Sequence, residues 1–196
     1  MAQRGIDITV SANVSTMDLA DATLPERISA IVAEYKIPVS RLQFEITESA
    51  LMGDADSVGN VLQRLRTAGF RLSIDDFGTG YSSLAQLKHM PVSELKIDKS
   101  FVLGLPGNAD DAVIVRSTIE LAHNLGLTIV AEGAENDPCI AFLRAAGCEI
   151  AQGYGISRPI SAADFEAWLG KRQSPEHSRR VDAQLPEGGL LAIFPT

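Results

Sequence analysis

The chain has 196 residues, of which 17 are Lys or Arg and 25 are Asp or Glu, so its formal net charge is −8. So acidic a chain is a poor ligand for duplex nucleic acid or an anionic membrane, and its 45% hydrophobic and 21% charged residues exclude a disordered, collagen-like or coiled-coil chain. No apolar run approaches the roughly 20 residues of a membrane-spanning helix, so we expect a soluble, cytoplasmic protein with one sizeable core.

The first part of the sequence predicts a strand and an amphipathic helix. Ile6–Val10 is a short β-branched run that predicts a strand. Thr23 and Glu26 have the spacing of a capping box, with Pro25 in the first turn, and predict the start of a helix. The apolar period of about 3.6 residues predicts a buried face made of Ile28, Ile31, Val32 and Tyr35.

The following segments repeat this order. Leu42–Ile46 alternates like a strand, and Asp54 predicts the start of a helix that ends at Gly69. A strand at Leu72–Ile74 and a short helix at Ser82–His89 come next. The apolar stripe of the helix that begins at Asp54 consists of Val58, Val61, Leu62 and Leu65.

The second half of the sequence continues the alternation. Leu95–Ile97, Thr128–Ala131 and Glu149–Ala151 predict three further strands. Between them, one helix is expected to run to Leu125 and another to end at Gly147. The predicted caps of the last three helices are Asp110 or Asp111, Asn136 or Asp137, and Ser161.

Six strands alternating with helices predict a parallel α/β sheet with right-handed crossovers. A doubly wound sheet and a piece of a (β/α)8 barrel both fit this order. No GxGxxG or GxxxxGK[ST] motif follows a strand, however, and this absence argues against the nucleotide-binding types of open sheet. A complete barrel takes about 250 residues, whereas only residues 1–170 precede a polar segment. We therefore predict an incomplete (β/α)8 TIM-type barrel of about six βα units that lacks its first units.

This prediction divides the chain into two parts. Residues 1–170 form the incomplete barrel, and residues 171–196 form a polar C-terminal extension that ends in the apolar run Leu190–Phe194. A disordered tail is one interpretation of the extension. In the other interpretation, its apolar end pairs with an open sheet edge or covers the barrel floor.

Cys139 and Cys148 form no CxxC pair, which predicts buried structural thiols and no zinc site.

Residues able to bind metal ions or move protons follow the predicted strands at their C-terminal ends, where parallel β/α barrels carry their active sites. A single carboxylate there is usually a helix cap or a solvated loop residue. A cluster of carboxylates, however, repels itself unless cations lie between its members. The candidates are Asn13, Glu45, Glu48, Asp75, Asp76, Lys96, Glu132, Glu135 and Gln152.

This oxygen-rich set favours Mg²⁺ or Mn²⁺ over zinc. The adjacent Asp75 and Asp76 suit two metal ions, with one carboxylate bridging ions about 3.5–4 Å apart. Two cations would also let an acidic cleft attract a phosphodiester. Lys96 is expected either to hold an attacking water and neutralise phosphoryl charge, or to be an inward lysine that pairs with a carboxylate for stability.

Five segments of the sequence carry a family resemblance, namely Phe44–Ser49, Asp75–Leu84, Leu95–Val102, Ala131–Glu135 and Gln152–Tyr154. In residues, order and spacing they resemble the EAL-domain family of bacterial cyclic di-GMP phosphodiesterases, over about residues 6–170. The resemblance implies a (β/α)8-type barrel that uses Mg²⁺ or Mn²⁺ to hydrolyse one phosphodiester bond of cyclic di-GMP, giving the linear dinucleotide pGpG.

The resemblance also implies individual roles for the metal-binding candidates. Asn13, Glu45 and Asp75 would bind the first metal ion. Asp75 would bridge to a second ion that Asp76 also binds. Lys96 would contact the attacking water.

The remaining candidates take supporting roles by the same resemblance. Glu132 would be a ligand of the second ion or the general base, and Glu135 and Gln152 would support the same site. The loop Gly78–Ser83 resembles the family's flexible loop that couples metal binding to dimerisation, with Glu48 as its anchor. A plain tight turn is the other interpretation of this loop.

The sequence departs from the family pattern before Asn13. The Glu-Ala-Leu motif, whose Glu is a metal ligand in the family, is absent, and the only upstream carboxylate, Asp7, lies inside the first predicted strand. Loss of a metal ligand weakens metal binding and misplaces the nucleophile. The preserved candidates favour a phosphodiesterase whose activity as this chain alone is weak or absent. The alternative is a degenerate module that binds cyclic di-GMP or a partner without catalysis.

The missing barrel units are also expected to leave two sheet edges open and to uncover an apolar inner face. We therefore predict that the chain forms a homodimer or associates with a segment that completes the barrel. Its expected small-molecule partner is cyclic di-GMP.

Overall fold

Six parallel strands form one sheet in the computed structural model, which describes residues 8–52, 55–80 and 84–172. The strands are β1 (Val10–Asn13), β2 (Leu42–Thr47), β3 (Arg71–Phe77), β4 (Glu94–Ile97), β5 (Thr128–Glu132) and β6 (Ile150–Gln152). The α-helices are α1 (Thr16–Leu19), α2 (Leu24–Glu34), α3 (Ala55–Thr67), α4 (Leu84–Leu87), α5 (Lys99–Val102), α6 (Ala109–Asn124), α7 (Asp137–Ala145) and α8 (Ala162–Arg172). Two short 3-10 helices, Val39–Arg41 and Glu48–Met52, flank β2.

The strands lie in the sheet in the same order as in the sequence, from β1 to β6. Each crossover therefore moves the chain by one strand in a constant direction, whereas a doubly wound sheet reverses direction at its switch point. This order excludes the doubly wound alternative and confirms the predicted α/β fold, a half-barrel of six parallel strands. Among the described residues, β1 and β6 each pair with one strand, so the described sheet does not close.

The two faces of the sheet differ in polarity because side chains alternate along each strand. The face that packs against the helices is apolar and buried, with Phe44, Ile46, Leu72, Ile74, Leu95 and Ile97. The opposite face carries Gln43, Glu45, Ser73, Asp75, Glu94 and Lys96 at the alternate positions.

The expectation of an apolar inner face is therefore wrong. Gln43, Ser73, Glu94 and Lys96 are buried even though they are polar. The burial of Gln43, Glu94 and Lys96 is tolerated because each of them pairs with another of these residues or with a neighbouring carboxylate. For example, Gln43 Nε2 donates a hydrogen bond to Glu94 Oε1 over 2.5 Å.

The first strand lies later in the sequence than predicted. It begins at Val10, which pairs with Leu42 at the start of β2, and Ile8 and Thr9 precede it without strand pairing. A β-branched run forms a strand only where a neighbouring strand supplies hydrogen bonds. The other five strands agree with their predicted positions within a few residues, and β3 extends as far as Phe77.

Two predicted capping interactions are wrong. Thr23 occupies the N-cap position of α2, as predicted, but its side chain caps no amide of the helix, and its amide and hydroxyl both donate to Asp21 Oδ1, over 2.8 and 2.6 Å. The cap of α6 is Asn108, whose side chain accepts hydrogen bonds from the amides of Asp110 and Asp111. The predictions of Asn136 for α7 and Ser161 for α8 are confirmed by side-chain bonds to the amides of Cys139 and Asp164 respectively.

The predicted apolar faces have different outcomes in α2 and α3. The stripe Val58, Val61, Leu62 and Leu65 of α3 is fully buried, as predicted. In α2, Val32 is buried but Ile31 and Tyr35 are exposed. The difference arises because α2 packs chiefly on α3 rather than on the sheet, so only a narrow side of it is covered.

Cys139 and Cys148 are free thiols, as predicted. Burial raises the pKa of both, that of Cys148 to about 12, so neither is a reactive nucleophile at neutral pH.

Several predicted positions lie outside the described residues. They include Asp7, the helix start at Asp54, and the last three residues of the loop Gly78–Ser83. Helix α8 reaches Arg172, and the rest of the proposed extension also lies outside, so the division at residue 170 stays a prediction. Among the helices of the described ranges, none combines the length and apolarity needed to cross a membrane.

Candidate active site

The C-terminal ends of all six strands contribute side chains to one cavity of about 480 Å³. This volume is typical of small-molecule sites, and active sites of parallel β/α barrels lie at this end of the strands. Seven of the nine predicted site residues line the cavity: Asn13, Glu45, Asp75, Lys96, Glu132, Glu135 and Gln152.

Lys96 lies among three carboxylates of this cavity. Its Nζ atom is 2.9 Å from Glu45 Oε2, 3.1 Å from Asp75 Oδ1 and 2.5 Å from Glu132 Oε1. Burial by itself lowers the pKa of Lys96, but the charges of the three carboxylates outweigh burial and hold the pKa above its ordinary value. The ammonium group is therefore charged at neutral pH and joins the ends of β2, β3 and β5.

Asp75 and Asp76 face the same site because the backbone of β3 is irregular between them. In a regular strand, consecutive side chains point to opposite faces. Here the pairing of β3 with β4 shifts between Ile74 and Phe77, and Asp76 has a left-handed backbone with φ of 55°. One ligand oxygen from each of Asp75, Asp76 and Glu132 consequently lies within 4.8 Å of the others.

Because these carboxylates are partly buried, additional positive charge nearby would stabilise their ionised form. Burial and the neighbouring charges of Asp75 and Asp98 raise the pKa of Asp76. Burial also raises the pKa of Glu132, although Lys96 opposes the shift. The cluster therefore combines the ammonium group of Lys96 with four carboxyl groups, those of Glu45, Asp75, Asp76 and Glu132.

The donor atoms fit a hard divalent cation. Asp75 Oδ1 is buried and forms an ion pair with Lys96 Nζ at 3.1 Å, but it accepts no hydrogen bond. A buried carboxylate oxygen with this single electropositive neighbour keeps a lone pair that a cation could bind. The surrounding ligand atoms are carboxylate oxygens, which Mg²⁺ and Mn²⁺ prefer.

Glu48 lies beside the cavity and holds the loop that follows β3. Its Oε2 atom accepts hydrogen bonds from the amides of Gly78, at 2.9 Å, and Gly80, at 3.1 Å. Gly78 has φ of +100°, which a residue with a side chain rarely adopts. The buried Glu48 thus tethers the described part of this loop next to Asp75 and Asp76.

The segment after β6 is locked to the segment after β5. Ala134 N donates to Gln152 O over 3.0 Å, and Gly155 N donates to Ala134 O over 2.9 Å. A Cβ atom on Gly153 would lie 2.4 Å from Ala134 N, so only glycine permits this approach. These contacts fix Gln152 relative to Glu132, its register partner at the end of β5.

The structure adds residues to the site that the sequence reasoning did not single out. Asp98, directly after β4, lies near Asp76, so that its charge helps to raise the pKa of the Asp76 carboxyl group, and its side chain also caps α5. Its position directly after a strand was an available signal. The residues added to the cavity lining follow the strands, in α5 and in loops, and gave no such signal: Lys99, Leu103, Gly133, Gly153, Tyr154, Ser157 and Pro159.

The fold and the site together define a class of protein, a parallel β/α half-barrel with a lysine–carboxylate centre at the C-terminal ends of its strands. Comparison with protein families matches residues 1–159 to the EAL domain. The chain belongs to the EAL domain family.

Curated relatives and solved structures agree with this assignment. The chain is 41% identical over 162 residues to cyclic di-GMP phosphodiesterase NbdA of Pseudomonas aeruginosa, a match that covers 83% of this chain and 21% of NbdA. It is 39% identical over 165 residues to cyclic di-GMP phosphodiesterase RocR of the same organism, covering 84% of this chain and 42% of RocR. The chain thus spans less than half the length of either relative.

Two solved structures share the fold. The EAL domain of Mycobacterium smegmatis DcpA has a TM-score of 0.83 at 39% identity, covering 89% of this chain and 79% of that one. The PaMucR phosphodiesterase in complex with c-di-GMP has a TM-score of 0.77 at 41% identity, covering 80% of this chain and 64% of that one.

Proposed function

We propose that this chain is a phosphodiesterase domain that hydrolyses cyclic di-GMP to pGpG with Mg²⁺ or Mn²⁺. The observation that carries the proposal is the arrangement of Lys96, Asp75, Asp76 and Glu132, four polar groups brought together from three strands. The names of the relatives and the c-di-GMP bound to PaMucR support the choice of substrate.

The proposed metal ligands are Asn13, Glu45, Asp75, Asp76 and Glu132, with Glu135 and Gln152 as supporting residues. A divalent cation held by these oxygens would polarise a phosphoryl oxygen and lower the pKa of water. The carboxylates would then be neutralised, and the phosphates of the substrate would no longer be repelled.

Hydrolysis adds one water molecule across the bond between phosphorus and the 3′ oxygen. Lys96, whose Nζ is already within contact distance of Glu132, would orient the water and stabilise the charge that develops on the phosphoryl oxygens. Glu132 would act as a ligand or accept the water's proton at its carboxylate, and the 3′ oxygen gains a proton as it leaves.

A binding module without catalysis is the second candidate, and the unclosed described sheet favours it. An incomplete barrel presents fewer ligands at the strand ends than eight strands would. In this alternative, the same residues bind cyclic di-GMP without cleaving it.

Chromatographic detection of pGpG distinguishes the two candidates. The purified chain is incubated with cyclic di-GMP and Mn²⁺, beside Lys96→Ala, Glu132→Gln and the control Glu120→Gln, which alters an exposed carboxylate of α6. The phosphodiesterase proposal expects slow formation of pGpG by the chain and by the control only. Metal-dependent binding without any pGpG would overturn that proposal and leave the binding module.

A further inference from the structure

A buried hydrogen bond joins β2 to β4 below the carboxylate cluster, and the proposed hydrolysis does not use it. Gln43 Nε2 donates to Glu94 Oε1, and each of these two side chains is at most 5% exposed. Gln43 lies two residues before Glu45 on β2, so the two side chains share the inner face of the sheet. Glu94 lies two residues before Lys96 on β4 in the same way. The ion pair between Lys96 and Glu45 therefore has a second link beneath it, which joins the same two strands.

The two strands that this bond joins are not neighbours in the sheet. Strand β3 lies between β2 and β4. Because neighbouring strands are about 4.8 Å apart, side chains meet across an intervening strand only where the sheet curves inward. The bond between Gln43 and Glu94 therefore holds the curvature of the sheet directly below Lys96.

Packing alone does not explain a polar pair at this position. The inside of a parallel β/α barrel is usually filled by branched apolar side chains, which avoid the cost of burying polar groups. A buried hydrogen bond, in contrast, restricts the distance and the direction between its two partners. The pair of Gln43 and Glu94 thus gives up apolar stabilisation and gains a defined separation of β2 and β4.

The bond is also independent of metal binding. The three carboxylates around Lys96 are proposed metal ligands, so a cation competes with the ammonium group for their oxygens. Gln43 and Glu94 are not among the proposed ligands, and neither lines the cavity. Their bond therefore holds β4 in place even when the carboxylates bind a cation.

We propose that Gln43 and Glu94 form a brace that positions Lys96 for the reaction. They are positioning residues, because they act through Lys96 and do not line the cavity. The proposal rests on the proposed function, since it assumes that Lys96 acts in hydrolysis.

Four variants separate the brace from a simple effect on stability. Gln43→Leu and Glu94→Leu each leave one buried polar group without its partner, whereas the double variant removes both groups. Glu94→Gln keeps an oxygen that accepts the hydrogen bond from Gln43. The matched control is Ile97→Val, which shortens a buried side chain on the face of β4 that packs against the helices.

Three measurements are made on each protein. They are urea unfolding, the rate at which the Lys96 ammonium protons exchange with water, and kcat and KM for cyclic di-GMP with Mn²⁺. NMR of the metal-free chain gives the exchange rate, and the signal is assigned by its loss in Lys96→Arg. Ammonium protons exchange slowly only where the group is buried and held by its acceptors.

The single variants to leucine should be less stable than the unmodified chain, and the double variant should recover that stability because neither partner is left unpaired. In the double variant the Lys96 protons should nevertheless exchange at least about tenfold faster. Its kcat should fall by at least about tenfold while KM stays within about threefold. Glu94→Gln and Ile97→Val should stay within about twofold of the unmodified chain in exchange rate and in kcat.

The possible failures are distinguishable. A stable double variant with unchanged Lys96 exchange and unchanged kcat would overturn the brace and leave the phosphodiesterase proposal standing. Equally fast exchange in Ile97→Val would show that the signal follows stability and would overturn the brace, as would a missing Lys96 signal in the unmodified chain. If the unmodified chain produces no pGpG, the proposed function fails, and the exchange rate of Lys96 alone then confirms or overturns the brace.

Discussion

Asp76 illustrates how the backbone of one residue determines the composition of the site. Its left-handed conformation, with φ of 55°, is costly for a residue with a side chain. Strain of this kind persists where the surrounding structure over-determines it, and it is common at functional sites. Here the strain brings the carboxylates of Asp75 and Asp76 to the same side of β3, where both lie near Glu132.

The buried oxygen of Asp75 leads to a prediction about metal binding. Asp75→Asn keeps the shape of the side chain but removes its charge, so the affinity for Mn²⁺ should fall by at least about tenfold. Isothermal calorimetry of the purified chain measures the change. The control is Glu120→Gln, which alters an exposed carboxylate and should bind Mn²⁺ as the unmodified chain does. Equal affinities for the two variants would show that Asp75 is not a ligand.

Glu94 leads to a prediction about pH. Burial raises the pKa of this carboxyl group, and the hydrogen bond from Gln43 offsets the shift only in part. The unfolded chain therefore releases this proton at a lower pH than the folded chain, so the folded state loses stability as pH rises from the ordinary carboxyl range through the raised pKa. Glu94→Gln cannot ionise, and it should be more stable than the unmodified chain by about 1 kcal/mol at neutral pH.

Urea unfolding of both proteins between pH 4 and pH 8 provides the measurement, because titrations common to the two proteins cancel in the difference. The stability advantage of Glu94→Gln should grow with pH and then level off. A difference that is independent of pH would contradict the assignment of a raised pKa to Glu94.

At the scale of the secondary-structure elements, helix boundaries depend on which side chain reaches the first amides. In α6, Asn108 Oδ1 accepts hydrogen bonds from the amides of both Asp110 and Asp111. The two aspartates that were predicted as caps lie inside the first turn. Their negative charges still favour the helix N-terminus through its dipole. Composition near a helix start therefore predicted the helix correctly but not its capping residue.

Two matched substitutions test these cap assignments. Asn108→Ala should lower the free energy of unfolding by about 1 kcal/mol, because two amides lose their acceptor. Thr23→Ala should change it by less than about 0.5 kcal/mol, since the Thr23 side chain caps no amide of α2. Thermal or urea unfolding measures both, and a larger loss in Thr23→Ala than in Asn108→Ala would reverse the assignment.

At the scale of the whole molecule, the sheet edges and the polar inner face have different consequences for association of the chain. The backbone of β1 and of β6 pairs on one side only within the described residues, which favours association through added strands. The polar inner face does not supply the apolar driving force that the sequence suggested.

Association of the chain stays a prediction, now based on the edges. Light scattering at micromolar concentration should give a mass above that of one chain, and moderate salt should leave it unchanged because backbone hydrogen bonds are not screened as exposed charges are. A monomer that unfolds cooperatively would contradict the prediction.

Completion of the barrel should raise activity. If two βα units that carry a Glu-Ala-Leu segment are fused before Met1, the edges are paired and a further carboxylate reaches the strand ends. Hydrolysis of cyclic di-GMP should then rise by at least about tenfold, which corresponds to about 1.4 kcal/mol of transition-state stabilisation. Lys96→Ala within the fusion should remove the gain. A fusion that folds and binds its ligand without producing pGpG would refute the expectation.

The sequence by itself determined the features that depend on local pattern. Alternating apolar periods predicted six strands and their parallel arrangement, and polar residues at the strand ends predicted which side chains share one cavity. The motifs around Asp75, Lys96 and Glu132 were sufficient to indicate the family. These features follow from side-chain periodicity and from the convergence of parallel strand ends.

Only the tertiary structure decided the features that depend on pairing between distant segments. The shift in pairing beside β4 places Asp75 and Asp76 together, the start of β2 determines where β1 begins, and packing on α3 leaves Tyr35 exposed. The polarity of the inner face and the position of Tyr154 beside the carboxylates belong to the same group. In each case the cause is a contact with residues far away in the sequence, and local periodicity carries no information about which partner a segment will meet.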